Sequence, residues 1–297
     1  MWVTDLDPSP TETPRKGWLR RNIDLYGWRI YAIPVLAVVT LLVLADTLWG
    51  SSDAKKNGTP PPTVVAAKET GIIGPKADGP FNPATPSYAL PDGASFEVFG
   101  DGTWHTVPGT TKQVGGGHVF TYMVEVEDGN DTTALGGDEK FAKIVDDTLA
   151  DPKSWTKDKK FGFQRIDSGT PDFRISFAAQ TTARKICGFD VPVDTSCYDQ
   201  DNNRVVITAP RWVRGAVAFD GDIGAYRRYV INHEVGHAIG FHQHAPCDTD
   251  GGLAPVMMQQ TFGTANNEVY NLDPAGVVPK DGKECKPNAW PYPVPAK

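Results

Sequence analysis

The fold and the chemistry of this chain centre on residues 232–244, which read N-H-E-V-G-H-A-I-G-F-H-Q-H and contain four of its six histidines. On a helix, His233 and His237 lie one turn apart on the same face, so their imidazoles can converge on one metal ion. Glu234 is rotated by about 100° from His233, which can place its carboxylate beside an open coordination position of the metal. The spacing therefore predicts a metal-binding helix that also carries a general base.

The residues after this motif predict a third ligand. Gly240 is expected to end the helix, because a residue without Cβ can adopt the left-handed conformation that reverses the chain. His242 and His244 can then return towards the metal. A surface helix that is merely rich in histidine is the alternative, but a glycine followed closely by two more histidines favours a metal site. Three neutral imidazoles with one open position are typical of catalytic Zn²⁺, which is the expected cofactor.

The overall composition excludes some classes of partner. The chain has 297 residues, a hydrophobic content of 40% and a formal net charge of −7. This length allows one or two domains, and the apolar content is sufficient for a core. The negative charge, and a sequence without a basic patch interleaved with aromatic residues, argue against nucleic acid as a partner.

The four cysteines predict two disulfide bonds. They are Cys187, Cys197, Cys247 and Cys285. None has C-x-x-C spacing, which argues against a cysteine zinc site or a thioredoxin-like motif. An even number of cysteines in an exported chain is typical of disulfides, and three pairings are possible. We favour Cys187–Cys197, which closes a short polar loop, and Cys247–Cys285, which ties the C-terminal tail to the metal-binding region.

Residues 30–49 predict a transmembrane helix. They contain one charged residue, Asp46, and about 20 apolar residues are enough to cross a bilayer. Five basic residues precede this run, namely Arg15, Lys16, Arg20, Arg21 and Arg29. Only Lys55 and Lys56 follow soon after it, so the N-terminus is expected in the cytoplasm, with a single-pass protein anchored in the cell membrane. A cleaved signal peptide is the alternative, and the long polar leader favours the uncleaved anchor.

The composition also predicts how the chain is divided. Residues 50–91 are rich in Pro, Gly, Ser, Thr and Lys without a hydrophobic period, which is typical of an extended or disordered spacer. The predicted organisation is a cytoplasmic basic tail (1–29), a transmembrane helix (30–49), a Pro-rich linker (50–91) and an extracytoplasmic domain (92–297).

The pattern beyond residue 95 predicts an α+β domain with a single mixed sheet and two principal helices. Alternating and β-branched residues predict strands at 96–99, 119–126, 161–166, 172–178 and 204–208. Apolar residues at helical spacing predict one helix over 138–150. A second helix is expected from an N-cap at Asp222 to Ile239 and carries the metal-binding motif, so that the metal lies in a cleft.

The motif resembles that of the metzincin metalloproteases, H-E-x-x-H-x-x-G-x-x-H followed by a methionine-containing turn beneath the zinc. His233, Glu234, His237 and Gly240 match the first part. Residues 254–260, A-P-V-M-M-Q-Q, resemble the turn, with Met257 as its methionine and Met258 as the alternative. The resemblance implies a metzincin-like architecture for residues 92–297.

The third ligand departs from the metzincin pattern. Gln243 occupies the family position, between His242 and His244. A one-residue insertion after Gly240, which would be Phe241, restores the spacing and makes His244 the ligand. His242 remains the alternative.

The stretch from residue 226 to the C-terminus resembles more closely an exported domain family of high-GC Gram-positive bacteria. That family has N-H-E-V-G-H, a further histidine, a cysteine, A-P-V-M-x-Q-Q-T and a late C-x-x-N-x-W-P-Y-P. The matching residues here are 232–237, Cys247, 254–261 and 285–293. The His-x-x-Cys spacing of the family favours His244, because Cys247 lies three residues after it. The resemblance covers about residue 92 to the end and implies no settled activity.

The motif and the metzincin resemblance together imply a zinc metalloendopeptidase that acts on a protein or peptide substrate. Glu234 would accept a proton from a water at the zinc as that water attacks a peptide carbonyl. Two alternatives remain open. One is a zinc amidohydrolase that acts on cell-wall amide bonds, and the other is a non-catalytic module in which zinc braces the fold. Glu234 argues against the last, because a closed structural site does not use a general base.

Overall fold

The protein is described by a computed structural model that covers residues 86–188, 193–274 and 276–293. The predicted cytoplasmic tail (1–29), the predicted transmembrane helix (30–49) and residues 50–85 of the predicted linker lie outside the described residues. Within the three described ranges, no helix is long and apolar enough to cross a membrane.

The described residues form one mixed sheet of seven strands, together with five α-helices. The strands are β1 (Trp104–Thr106), β2 (Val114–Gly115), β3 (His118–Glu127), β4 (Phe161–Arg165), β5 (Phe173–Ala178), β6 (Cys197–Asp199) and β7 (Arg204–Thr208). The helices are α1 (Asp138–Ala150), α2 (Gln180–Cys187), α3 (Ala209–Arg214), α4 (Ile223–Ala238) and α5 (Asn266–Leu272). The single mixed sheet is confirmed, and the two predicted helices, α1 and α4, are the longest of the five.

The long strand β3 lies at the centre of the sheet, whose order is β2-β4-β3-β5-β7-β6. Strands β4, β3, β5 and β7 run parallel, whereas β2 and β6 pair antiparallel at the two edges. The first half of β3 pairs with β4 and its second half with β5, and β1 pairs antiparallel with its last residues. The central strand therefore has β4 and β1 along one side and β5 along the second half of the other.

One face of the sheet and the two long helices share a core. Side chains alternate across a strand, so Tyr122, Val124 and Val126 of β3 lie on one face. They join buried side chains of the neighbouring strands and helices, including Ile175, Phe177, Ile207, Phe141, Val145, Leu149, Tyr226, Val230 and Val235. Burying each such side chain contributes about 1.5–3 kcal/mol. The core thereby fixes α4 against the sheet.

The predicted strand at 96–99 is wrong. These residues form no strand, and their carbonyl groups satisfy the first amides of α2 instead. The N–H of Gln180 donates to Glu97 O at 3.2 Å, and the N–H of Thr181 donates to Val98 O at 2.9 Å. Residues 96–99 have the apolar pattern of a strand, but their carbonyl groups bind the N-terminus of a helix, whose free amides need acceptors.

The described residues of the segment predicted as linker, 86–91, contact the domain. Ser87 Oγ donates to Phe262 O at 2.8 Å. The buried guanidinium of Arg211, 1% exposed, donates to four backbone carbonyls, those of Tyr88, Ala89, Asp194 and Gly215. Since burying an unpaired cation is costly, these carbonyls bind the segment firmly to α3.

Both favoured disulfides are confirmed. Cys187–Cys197 joins the end of α2 to β6. Cys247–Cys285 joins the segment after the histidine-rich motif to the C-terminal tail. Bridges of this kind stabilise a fold by about 2–4 kcal/mol, mainly by restricting the unfolded chain.

Candidate metal centre

Helix α4 is buried on most of its faces, which places the motif in the interior of the domain. Its predicted N-cap is confirmed, because the Asp222 carboxylate accepts from the N–H of Ala225 at 2.8 Å. The helix then carries a nearly continuous run of buried residues from Tyr229 to Gly236. A helix enclosed in this way can hold polar side chains at defined positions, since neighbouring elements restrict their rotamers.

The helix ends in a glycine-dependent turn. Gly240 has a φ of 109°, which residues with a Cβ rarely adopt. Its N–H donates to His237 O at 3.1 Å. The N–H of Phe241 donates to Gly236 O at 2.9 Å. These two bonds form a Schellman motif, in which orphan carbonyls of the last turn are satisfied. Gly240 therefore has the predicted role, and the chain reverses towards His244.

Three histidines converge where the chain returns. His233, His237 and His244 each offer a ring nitrogen, and these atoms all lie within 4.8 Å of one another, so that they could hold a metal ion. The ring centroids are 4.9 Å, 5.3 Å and 5.1 Å apart. His242 and Gln243 are exposed and lie outside this group. The structure thus brings together the three predicted ligands and leaves the alternative, His242, in solvent.

Backbone carbonyls fix the tautomers of two of these histidines. His233 Nδ1 donates to Val256 O at 2.8 Å, and His237 Nδ1 donates to Phe241 O at 2.7 Å. A carbonyl can only accept, so each Nδ1 carries the proton and each Nε2 carries a free lone pair. His233 Nε2 is buried and has no hydrogen-bond partner among the described residues. A buried lone pair without a partner is costly, and a metal ion would satisfy it.

Burial keeps the three imidazoles neutral. It lowers the pKa of His233 well below the ordinary value of 6.5, and the neighbouring histidines lower it further. Burial, followed by the charge of His244, lowers the pKa of His237 to about 4. Burial also lowers the pKa of His244. The neutral imidazole is the form that binds a metal, so the site is prepared for a cation at neutral pH.

These shifts predict that the metal-free protein loses stability as the pH falls from about 6.5 towards 4. In this window the unfolded chain takes up protons that the buried histidines of the native state do not, so the free energy of unfolding decreases as the pH falls. Glu234 acts in the opposite direction, because burial raises its pKa to about 8. Denaturant titrations between pH 4 and pH 8 should therefore use Glu234→Gln as the background.

In that background, His237→Asn should reduce the pH dependence by the share of one histidine, since His233 and His244 remain, whereas substitution of the exposed His118 by asparagine should leave it in place. A free energy of unfolding that stays constant between pH 6.5 and pH 4 in the Glu234→Gln protein would contradict the prediction.

Glu234 directly follows His233 on α4 and is buried. Glu234 is 2% exposed, and burial raises the pKa of its carboxyl to about 8. Burial raises the pKa values of the Tyr226 and Tyr229 hydroxyls, and the charge of Glu234 raises both further. A carboxyl with a raised pKa next to a ligand group is typical of catalytic sites.

A methionine packs beneath the motif. A Cβ at Gly236 would lie 2.5 Å from Met257 Sδ and 2.8 Å from Cζ2 of Trp155, so only glycine fits here. The carbonyl of Met257 also accepts from the N–H of Ala245 at 2.9 Å, which holds the segment that carries His244. Met258 packs in a separate cluster with the disulfide Cys247–Cys285.

Sequence reasoning missed the residues that hydrogen-bond to α4 at Asn232. Asn232 is fully buried, accepts from Ser154 Oγ at 2.9 Å and donates from Nδ2 to Ala289 O at 2.9 Å. Its backbone carbonyl accepts from Trp155 Nε1 at 2.9 Å. An asparagine directly before His233, which recurs in the N-H-E-V-G-H motif, is the signal that could have identified this position.

The side-chain amide of Gln260, at the end of the methionine-containing segment 254–260, joins that segment to Asn288 of the C-terminal tail. Gln260 Nε2 donates to Asn288 O at 2.9 Å, and the N–H of Asn288 donates to Gln260 Oε1 at 2.8 Å. Asn288 Nδ2 also donates to Ala254 O at 2.9 Å. The separated motifs N-H-E-V-G-H, A-P-V-M-x-Q-Q-T and C-x-x-N are therefore parts of one hydrogen-bonded support.

The fold and the site define a class of protein, a mixed-sheet domain in which one buried helix and the loop after it bring three histidines together, and the same helix buries a carboxyl group. Residues 90–293 match the family described as "Protein of unknown function (DUF3152)", and the chain belongs to this family. No curated protein and no solved structure matches the chain. The chemistry of the site is therefore inferred from its own residues.

Proposed function

We propose that the protein is a zinc-dependent metallopeptidase with a metzincin-like site. The observation that carries the proposal is the convergence of His233, His237 and His244, with fixed tautomers at the first two, on and after a helix that also buries the carboxyl of Glu234. Three imidazoles suit Zn²⁺ among the common metals, and a three-ligand set leaves a position open for chemistry.

The proposed reaction divides the work between the metal and the protein. When bound, zinc supplies the Lewis acidity that polarises a peptide carbonyl and promotes the ionisation of water. The carbonyls of Val256 and Phe241 hold the rings of His233 and His237 in the ligating orientation. Glu234 Oε accepts the proton of the attacking water and delivers it to the amide nitrogen that leaves.

The buried carboxyl favours catalysis over a purely structural metal. Placing Glu234 in the interior costs free energy, because burial disfavours its ionised form. A structural site gains nothing from this cost. A cation bound by the three histidines would favour the ionised carboxylate and so prepare it to act as a base.

Two further features support the metzincin-like assignment. Met257 packs against the motif glycine Gly236, where the clan has its methionine turn. The helix ends at the predicted glycine and the chain returns with a histidine, although one residue later than the clan's spacing.

We further propose that this domain lies outside the cytoplasm, anchored by the predicted helix at 30–49. Two disulfides within the described residues support an oxidising compartment. The charge asymmetry around the apolar run supports a cytoplasmic N-terminus.

A peptide-library experiment tests the proposed activity. The full-length protein, stripped of metal with a chelator and then reloaded with zinc, is incubated with a diverse peptide library and with cell-wall peptides, and the products are read by mass spectrometry. New termini should appear only in the zinc-loaded sample. Products from the cell-wall peptides alone would favour the amidohydrolase, whereas no cleavage with one zinc bound per chain would contradict an enzymatic function.

A further inference from the structure

Phe241 is the extra residue in the loop between Gly240 and His244, and both of its backbone groups contact the metal-binding helix. Its N–H donates to Gly236 O at 2.9 Å, which closes the end of α4. Its carbonyl accepts from His237 Nδ1 at 2.7 Å. One residue thus both ends the helix and orients a ligand on the last turn of that helix.

The side chain of Phe241 is held by an aromatic stack. Its ring stacks on Trp155 with centroids 4.5 Å apart and an interplanar angle of 27°, and it lies 6.0 Å from the ring of Phe161. Trp155 is fully buried and is itself bonded to α4, since its Nε1 donates to Asn232 O at 2.9 Å. The stack therefore connects the loop to the same helix that carries His233 and His237.

We propose that Phe241 is a positioning residue of the metal centre, which acts through the stack on Trp155 to hold the carbonyl that orients His237. This inference rests on the proposed metal site and deepens it. The loop could otherwise place this carbonyl in several ways, because Gly240 alone restricts the chain little. With the ring fixed, the carbonyl is fixed as well, and His237 is kept in the tautomer whose Nε2 faces the other ligands. Disturbing a group that hydrogen-bonds to a metal ligand typically weakens metal affinity by about 10–100-fold.

The test compares zinc affinity and site geometry in the full-length protein. Phe241→Leu removes the stack but keeps the backbone and an apolar side chain, whereas Phe241→Tyr keeps the ring. Zinc affinity is measured by competition with a chelator, and the visible spectrum of the cobalt-substituted protein reports the ligand geometry. Phe241→Leu should weaken zinc binding about 10–100-fold and alter the cobalt spectrum, and Phe241→Tyr should restore both.

Phe120→Leu is the matched control, because Phe120 is also partly buried among aromatic rings, and its ring neighbours are His118, Phe163 and Phe173 of the sheet. Circular dichroism shows whether each variant is folded. If Phe241→Leu does not fold, Trp155→Phe keeps an aromatic partner while removing the Nε1 bond, and it should weaken zinc binding in the same direction. Unchanged affinity and spectrum in the folded variants, or an equal loss in Phe120→Leu, would overturn the proposal.

Deleting Phe241 provides a second, independent measurement. The deletion restores the metzincin spacing H-x-x-G-x-x-H with His244 in the third position. The proposal predicts that the deletion weakens zinc binding at least as much as Phe241→Leu does. Zinc binding equal to or tighter than that of the wild type would overturn it. A wild-type protein that binds no zinc at all would instead refute the proposed function, so the two failures are distinct.

Discussion

Replacing Glu234 with glutamine is expected to lower the rate of peptide hydrolysis by about 10²–10⁴-fold while zinc remains bound. Glutamine has nearly the same shape as glutamate but cannot accept the proton of the attacking water. The three histidines supply the ligand atoms of the group, so the substitution leaves the metal donors in place. Because Glu234 is buried and carries a raised pKa, the neutral amide should also be accommodated without loss of stability.

The measurement combines kcat/KM on a peptide substrate with the zinc content per chain. Glu139→Gln is the matched control, because Glu139 is exposed on α1 and lies outside the histidine group. This control should retain wild-type activity. Loss of zinc together with activity in Glu234→Gln would show that Glu234 holds the metal, and full activity would show that another group is the base.

Replacing His244 with alanine is expected to weaken zinc binding by about 100-fold or more, whereas His242→Ala should change it by less than about threefold. Removal of a ligand should exceed the 10–100-fold effect of removing a residue that only orients one. His244 lies in the group of converging nitrogens, and His242 is exposed outside it. The two histidines are separated by one residue. Each variant therefore removes one imidazole from the same loop, and a difference in zinc affinity reports the position of the imidazole that was removed.

Chelator competition gives the dissociation constant of each variant. The reverse ranking, with His242→Ala as the damaging substitution, would make His242 the third ligand. Equal and small effects would mean that neither histidine binds the metal. In that case the third donor would have to come from another part of the chain.

The parts of the fold set by local periodicity could be predicted from the sequence. Helix α1 has the predicted bounds, 138–150, because its apolar residues and the following Asp-Pro mark both its spacing and its end. The N-cap at Asp222 and the turn at Gly240 were predictable for the same reason, since each depends on one residue type at one position. The disulfide pairing also followed from the short separation of Cys187 and Cys197 and from the position of the tail, which carries Cys285.

Contacts between distant segments could not be predicted in this way. Residues 96–99 alternate as a strand does, yet they bind the N-terminus of α2, and no local pattern distinguishes these partners. Helices α2, α3 and α5 and strands β2 and β6 are too short for their periodicity to be read. The choice between His242 and His244 stayed open because it depends on the path of a loop, which Phe241 and Trp155 determine together.

The hydrogen bonds between the tail and α4 bear on the order in which the proposed metal site can assemble. All three histidines leave the ribosome before Asn288 and Ala289 do, because translation proceeds from the N-terminus. Until that later segment arrives, Asn232 lacks its acceptor at Ala289, and Gln260 lacks Asn288. The proposed metal site would therefore gain these hydrogen bonds only after the segment that follows Cys285 has docked.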